Sequence, residues 1–356
     1  MLSFEFFDAK HGDAFLTRWG NGASRVMLVD GGPTGVYEAG LKVALTRLLP
    51  RDQNGIPHLD VVYLSHIDDD HVAGLVRLFA DIRRARNDQL AEPFSVGLLW
   101  FNSVEELVDK AEPGLAASVQ PLFERAQTSD VMKASYNQGR TLRNAAVFLR
   151  LDGNSPFNGQ LVQGDSTSLD GLEVTVVCPD DQALAKLADR WRKAKQEKNP
   201  EVITAAYDDQ SIPNLSSIVL HVKHGQKTAL LTGDARGDRI LAGLRASNLL
   251  DGDGPLRVDL MKVPHHGSER NMKPDFFEKI HAIHYVVSAD GIKHHHPHED
   301  TLTALVESRA PTDEFTVHLT NDIPFAVQKL KDLQVGRSFE ISVRAVEEQA
   351  LLIAIG

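Results

Sequence analysis

One short segment, Leu64–His71, constrains the fold of this chain more than any other. It reads Leu-Ser-His-Ile-Asp-Asp-Asp-His and follows an apolar, strand-like run that begins at Leu59. Two imidazoles and three carboxylates so close together are costly unless water or a metal ion compensates their charge. A turn at the carboxyl end of a strand points side chains into the crevice where α/β sheets bind their ligands. The segment therefore predicts a metal site after a buried strand, rather than a polar surface loop.

Histidines cluster a second time towards the end of the chain. Of its 15 histidines, eight lie between His265 and His298. Between the two clusters, Asp234 follows an apolar run and a Thr-Gly turn, so its carboxylate is predicted to face the same crevice. The alternative for Asp234 is a cap on the helix that starts near Gly237.

The composition excludes several classes of protein. The 356 residues include 38 basic and 49 acidic ones, a formal charge of −11, and 42% are hydrophobic, which excludes wholesale disorder. A single cysteine, Cys178, excludes an internal disulfide framework and a cysteine-based zinc site. No apolar run approaches the ~20 residues of a membrane span, and no leader pattern opens the chain, so we expect a cytoplasmic protein without a membrane partner. The acidic balance argues against a general nucleic-acid coat, although a basic patch or a bound metal could still hold a phosphate.

The order of predicted elements indicates two strand-rich halves separated by a helical insertion. Strands and a helix at Val36–Leu49 fill the first part, and strands alternate with helices again from Ser211. Residues 103–205 are mostly helical in pattern, although Ala145–Leu151 and Leu172–Cys178 are strand-like. We therefore predict one domain over residues 1–356, with the insertion at 103–205 inside it.

At this point the sequence resembles the metallo-β-lactamase fold, whose signature is His-x-His-x-Asp-His after a β-strand. Here the second histidine is replaced, which gives His66-x-Asp68-x-Asp70-His71. That variant resembles the soluble hydrolase domain of the ComEC-type DNA-uptake (competence) proteins. Five further segments resemble that family in the same order: His11-Gly12-Asp13-Ala14, Val29-Asp30-Gly31-Gly32, Leu231-Thr232-Gly233-Asp234-Ala235, Val263-Pro264-His265-His266-Gly267-Ser268 and His296-Pro297-His298. The resemblance implies an α/β fold, an αββα sandwich with a helical insertion.

The resemblance also implies a ligand set for two divalent metal ions. His66 and Asp68 would hold the first metal, Asp70 and His71 the second, and Asp234 would bridge the two with its two oxygens. His296 is the predicted last ligand because it stands before Pro297. Because residues 294–296 are three consecutive histidines, the sequence does not show which histidine here is the ligand. The alternatives to His296 are His294, His295 and His298.

Residues in and around the predicted ligand set are also predicted to have catalytic or supporting roles. Asp70 and Asp234 are predicted to be catalytic as well as metal-binding. His265 and His266 share two roles: one could complete the metal site, and either could orient the substrate or protonate a leaving group. Three residues are predicted to organise the loops around the site: Asp13, Asp30 and Asn214.

One departure from the wider fold concerns the first metal. No histidine occurs from residue 72 to residue 220, where dinuclear members usually supply one. The first metal is therefore expected to be water-rich or completed by an oxygen ligand. Asp68 in place of a histidine shifts the preference from zinc towards Mn²⁺ or Mg²⁺, and the identity of the metal stays open.

A metal centre of this kind predicts hydrolysis by a metal-bound hydroxide, because the cation lowers the pKa of its water. The favoured hypothesis is a phosphodiesterase, and specifically a nuclease with a nucleic-acid substrate. The basic face of a predicted helix at Ala183–Lys198 supports this hypothesis, and Lys193 on that face is a candidate substrate contact. The alternative interpretation of the same face is an ordinary solvated helix. A hydrolase of a small ester, lactone or amide is the second hypothesis. The third is a non-catalytic, metal-stabilised module that binds a protein partner through the insertion.

Overall fold

The computed structural model describes residues 1–22, 24–125, 130–151, 153–197, 216–252, 254–273 and 275–356. Asn214 lies outside the described residues. Within the described part of the chain, no helix is long and apolar enough to cross a membrane.

The first sheet has six strands in the order β14-β1-β2-β3-β4-β5. Neighbours from β14 to β3 are antiparallel, whereas β3, β4 and β5 are parallel, so the carboxyl ends of β3 and β4 lie side by side. The strands are β1 (Leu2–Phe7), β2 (Phe15–Trp19), β3 (Arg25–Val29), β4 (His58–Tyr63), β5 (Ser95–Trp100) and β14 (Ala350–Ile355).

The second sheet has eight strands in the order β13-β12-β11-β10-β9-β8-β7-β6. Strands β6 to β9 are antiparallel, and β9 to β13 are parallel. The strands are β6 (Ser166–Leu169), β7 (Leu172–Cys178), β8 (Val219–His224), β9 (Lys227–Leu231), β10 (Leu256–Lys262), β11 (Ile280–Val287), β12 (Thr316–Leu319) and β13 (Glu340–Val343).

Helices cover the outer face of each sheet. The first six are α1 (Lys42–Leu48), α2 (Asp69–Asn87), α3 (Val104–Ala111), α4 (Leu115–Arg125), α5 (Asp130–Leu149) and α6 (Asp181–Glu197). The last four are α7 (Gly237–Ala246), α8 (Phe276–Lys279), α9 (Glu299–Glu307) and α10 (Pro324–Gln334). Three apolar clusters result: one between the sheets, one between the first sheet and α1–α6, and one between the second sheet and α7–α10. The predicted αββα sandwich is confirmed.

The strand predicted at Ala145–Leu151 is wrong, because α5 extends to Leu149. Leu142, Ala145, Ala146 and Leu149 are all buried, and their spacing is that of one helical face. The short run from Ala145 is strand-like only when it is considered without the helix that precedes it. The strand predicted at Leu172–Cys178 is β7, which pairs with β8 in the second sheet.

Two glycines let α2 approach the first sheet without an intervening side chain. Gly31 N donates to His71 O at 2.7 Å, and Gly74 N donates to Gly32 O at 3.2 Å. A Cβ on Gly74 would lie 1.9 Å from Gly31 O, which no real contact allows. This close packing fixes the first turn of α2 against the end of β3.

We expect Gly74→Ala to lower the free energy of unfolding by ~2 kcal/mol or more, because the added methyl group must displace the Gly31 backbone. Urea unfolding measures the change. Gly40→Ala is the matched control, since a Cβ there meets nothing within 4 Å. Equal stability of the two variants would contradict the proposed packing.

Candidate metal centre

Strand ends of both sheets deliver the candidate ligands to one place. The loop after β4 carries His66 and Asp68, and the first turn of α2 carries Asp70 and His71. From the second sheet, Asp234 follows β9, while His265 and His266 follow β10 in the short helical turn Pro264–Gly267. The predicted Asp and His residues therefore meet between the two sheets.

The first of two groups of ligand atoms, the α2 group, comprises Asp70, His71, Asp234 and His266. His71 Nε2 lies 3.9 Å from Asp70 Oδ1 and 3.4 Å from Asp234 Oδ1. His266 Nε2 lies 3.6 Å from Asp70 Oδ2 and 3.4 Å from Asp234 Oδ2. Ligands bound to one metal at 2.0–2.2 Å with tetrahedral angles lie roughly 3.4 Å apart, so these separations suit a single cation.

The second group, the β4-loop group, comprises His66, Asp68, Asp234 and His265. His66 Nε2 lies 3.7 Å from Asp68 Oδ2 and 3.8 Å from Asp234 Oδ2. His265 Nε2 lies 3.7 Å from Asp234 Oδ2. The Asp234 carboxylate thus lies near members of both groups.

Several of these atoms are buried and make no hydrogen bond. They are the Nε2 atoms of His66, His71 and His266, and Oδ1 of Asp234. Buried polar atoms are normally paired, because the loss of hydration is otherwise uncompensated. Four convergent unpaired ligand atoms are therefore the signature of a cation site, and the residues present fit a divalent metal.

Hydrogen bonds behind the ligands orient the imidazole rings. His71 Nδ1 lies 2.8 Å from Asp30 Oδ2, and His266 Nδ1 lies 2.8 Å from Ser288 O. Since a carboxylate and a carbonyl oxygen both accept, each Nδ1 donates, and the neutral form of each ring has its Nε2 lone pair directed at the cluster, where a metal would bind. The backbone supports this geometry, with left-handed φ of +55° at Asp30, +46° at His265 and +53° at His266. Such conformations are costly for non-glycine residues and concentrate at functional sites.

The cluster perturbs the pKa values of its members. Burial alone would raise the pKa of Asp234, but the charges of His266, His71 and His265 outweigh it and hold that pKa well below its usual value. Burial alone would lower the pKa of His266, yet Asp234 and Asp13 raise it to about 9. His66 has a lowered pKa because of its burial and the charge of His71. Acids and imidazoles that shift one another in this way are typical of functional sites.

Lys262 is a member of the site that the sequence analysis missed. It ends β10, and its Nζ lies 2.5 Å from Asp13 Oδ2 and 3.7 Å from Asp234 Oδ1. Burial alone would lower the pKa of Lys262, but the two carboxylates outweigh it and raise the pKa. The available signal was a basic residue at the end of an apolar strand, directly before the His265-His266 pair.

Asp13 and His296 are close to the centre, but they differ in position. Asp13 lies behind the α2 group, with its Oδ1 3.6 Å from His266 Nδ1 and its Oδ2 3.7 Å from His71 Nδ1. The ring of His296 lies 5.6 Å from that of His265 and 6.3 Å from that of His266. His296 therefore lies beside His265 and His266 at the edge of the cluster, and its role as the last ligand stays a prediction.

The remaining candidates lie farther out. His294 and His298 lie beside His296, with ring centroids 5.7 Å and 4.9 Å from it. Lys193 is exposed on α6, a helix that packs against α3 and α4, and its Nζ lies 3.9 Å from Glu197 Oε1.

Comparisons with known proteins give limited matches. No protein-family model matches the chain. ComE operon protein 3 of Bacillus subtilis (strain 168) is 27% identical over 105 residues, which are 29% of this chain and 13% of that relative. Among solved structures, Zn²⁺-bound PqqB from Methylobacterium extorquens is 12% identical with a TM-score of 0.44, covering 99% of this chain and 100% of that one. A diphosphatase from the PhnP family is 10% identical with a TM-score of 0.38, covering 100% of this chain and 98% of that one.

The two mixed sheets, the helices outside them and the buried His/Asp cluster define this chain as an α/β protein with the metallo-β-lactamase fold. The predicted likeness to the ComEC-type proteins is confirmed as a weak similarity to ComE operon protein 3 over 29% of the chain. Its site is a buried cluster of His and Asp residues of the types that hold metal ions.

We expect Asp30→Asn to weaken binding of Zn²⁺ or Mn²⁺ by about 10- to 100-fold, since an amide cannot accept from both Ser65 and His71 at the replaced oxygen. Chelator competition measures the affinity. Asp60→Asn is the matched control, because Asp60 accepts from Arg25 Nη1 and Val26 N away from the cluster. The control should lose stability only; unchanged metal affinity in Asp30→Asn would contradict the orienting role.

Proposed function

We propose that this protein is a metal-dependent phosphodiesterase that cleaves nucleic acid. The observation that carries the proposal is the position of the Asp234 carboxylate, which lies 3.4–3.8 Å from the Nε2 atoms of His66, His71 and His266, each of them buried and without a hydrogen bond. Two cations held at one carboxylate suit in-line displacement at phosphorus, where the attacking and the leaving oxygen both need stabilisation.

In this proposal each group of ligand atoms holds one divalent cation. Asp70, His71 and His266 would hold one, His66, Asp68 and His265 the other, and Asp234 would contact both. When bound, such cations supply Lewis acidity that activates water and neutralises the charge of a phosphate. The mixture of imidazoles and carboxylates suits Zn²⁺ or Mn²⁺, and fits Mg²⁺ less well because Mg²⁺ prefers oxygen ligands.

The chain's own residues divide the other tasks. Asp30 and Ser288 hold the rings of His71 and His266 in the orientation that a cation needs. His296 is partly exposed beside His265, so its imidazole is placed to contact a substrate that enters from solvent. We assign His296 to substrate orientation, and His266 to metal binding.

A nucleic-acid substrate is supported by the likeness to the ComEC-type DNA-uptake proteins. That support consists of the ordered sequence segments and the similarity of 105 residues to ComE operon protein 3. The proposal extends it to the reaction: cleavage of a phosphodiester bond by water.

A second candidate, hydrolysis of a small ester, lactone or amide, is favoured by one observation on α6. Arg192 contacts the carboxylates of Glu112 and Asp189, and Lys193 lies near Glu197. Much of the basic character of that helix is therefore compensated by its own neighbours. A small substrate needs no basic surface, so the two candidates differ in their dependence on α6.

We expect Asp70→Asn to abolish Mn²⁺-dependent cleavage of DNA and RNA, because the α2 group loses a charged ligand. Asp69→Asn is the control within the same motif. The Asp69 carboxylate accepts from Thr34 Oγ1 and Gln138 Nε2, away from the cluster. That variant should cleave at close to the wild-type rate, and circular dichroism checks that both variants fold.

Three outcomes separate the hypotheses. Cleavage that survives in Asp70→Asn would overturn the assignment of this site. Metal binding without nucleic-acid cleavage, but with turnover of small esters, lactones or amides, would favour the second candidate. Metal-dependent stability without turnover of any substrate would leave the non-catalytic, partner-binding module.

We expect Lys193→Glu to weaken nucleic-acid binding and to reduce its dependence on salt by about one released counterion, if α6 contacts the phosphate backbone. Lys331→Glu, an exposed lysine on α10, is the matched control for net charge. Fluorescence anisotropy at several salt concentrations measures both. If the two variants have the same nucleic-acid affinity and the same salt dependence, α6 is an ordinary solvated helix that does not contact the phosphate backbone.

A further inference from the structure

The metal centre contains a cation of its own, the ammonium group of Lys262. This side chain is 1% exposed, and no other lysine in the described part of the chain is buried. Its Nζ lies 2.5 Å from Asp13 Oδ2 and 3.7 Å from Asp234 Oδ1, and it donates to Gly233 O at 3.2 Å. All three of its neighbours are oxygen atoms, which are also suitable partners for a metal ion.

The position of Lys262 joins the two sheets across the site. Lys262 ends β10 of the second sheet, whereas Asp13 lies in the loop between β1 and β2 of the first sheet. Asp13 N also donates to Asp70 O at 3.1 Å, so the same loop supports a predicted ligand. The ion pair therefore holds one half of the centre against the other.

The charges explain why a lysine is stable at this buried place. Asp13, Asp30 and Asp234 are each at most 3% exposed. Carboxylates buried so close together repel one another, and a buried charge is costly unless an opposite charge pairs with it. The ammonium group compensates part of this negative charge whether or not a metal is bound.

We propose that Lys262 is an internal counter-ion that stabilises the metal-free centre and competes electrostatically with the metal. The inference rests on the metal centre of the proposed function. A divalent cation held by Asp234 would lie next to the Lys262 ammonium, which is 3.7 Å from Asp234 Oδ1, and like charges at short range repel strongly in a buried site. Lys262 is thus a positioning residue that limits how tightly the metal binds.

The test is Lys262→Met, which keeps an unbranched side chain one atom shorter than that of lysine and removes its charge. In chelator-stripped, full-length protein we expect a melting temperature lower than that of the wild type by several degrees, because two carboxylates lose their partner. We expect Mn²⁺, titrated alone against a competing chelator, to bind about tenfold more tightly, because a nearby positive charge is gone. Lys262→Arg should restore both values towards those of the wild type.

A control lysine on the same sheet tests whether the effect is local. Lys227 on β9 lies 3.2 Å from Asp259 Oδ1, away from the cluster. Lys227→Met removes an ion pair as well, and it should leave Mn²⁺ affinity unchanged. An equal gain in affinity in both variants would show an effect of net charge and would overturn the proposal.

Unchanged or weaker Mn²⁺ binding in a folded Lys262→Met variant would also overturn the proposal. That result would not contradict the assignment of the metal centre. Wild-type protein that binds neither Mn²⁺ nor Zn²⁺ would instead overturn the metal centre itself. If Lys262→Met does not fold without metal, the double variant Lys262→Met/Asp13→Asn decides between charge and packing. Recovery of folding in the double variant supports the counter-ion, since one charge of each sign is removed; no recovery overturns it.

Discussion

The buried hydrogen bond between His71 Nδ1 and Asp30 is the interaction on which the metal centre depends. Asp30 follows β3, and its carboxylate also accepts from the backbone N–H and the hydroxyl of Ser65, which follows β4. One carboxylate thus joins the ends of two parallel strands to the first turn of α2. This is possible because parallel neighbours end at the same edge of the sheet, so a single side chain can reach all three elements.

The second sheet completes the centre through its own strand ends. Asp234 follows β9, and the His265-His266 pair follows β10. The cluster of ligands is therefore complete only when both sheets present the carboxyl ends of these strands to the same crevice. The Lys262–Asp13 ion pair spans that crevice. The site is therefore a product of sheet-on-sheet packing, and neither sheet contains it alone.

The helical insertion reaches the ligand motif directly. Gln138 on α5 donates to Asp69, the one acid of the motif that points away from the cluster, and a Cβ on Gly139 would lie 3.1 Å from Ile67 Cγ2. The insertion is thus packed against the loop that carries the ligands. A partner that moved α5 would have a physical route to the metal centre, through contacts of packed side chains.

The sandwich was implied by the resemblance of the sequence to the metallo-β-lactamase fold, whereas local patterns named His66, Asp70, His71 and Asp234, which the structure brings together. Each follows an apolar strand at a turn, and a local pattern of this kind is readable along the chain. Only the tertiary structure brought His266 to Asp234 and placed Lys262 beside Asp13. Those contacts join residues that are far apart in sequence, and the direction of His266 depends on a left-handed turn, a conformation that is uncommon outside glycine. Local patterns carry no information about such long-range packing, which arises only when the two sheets meet.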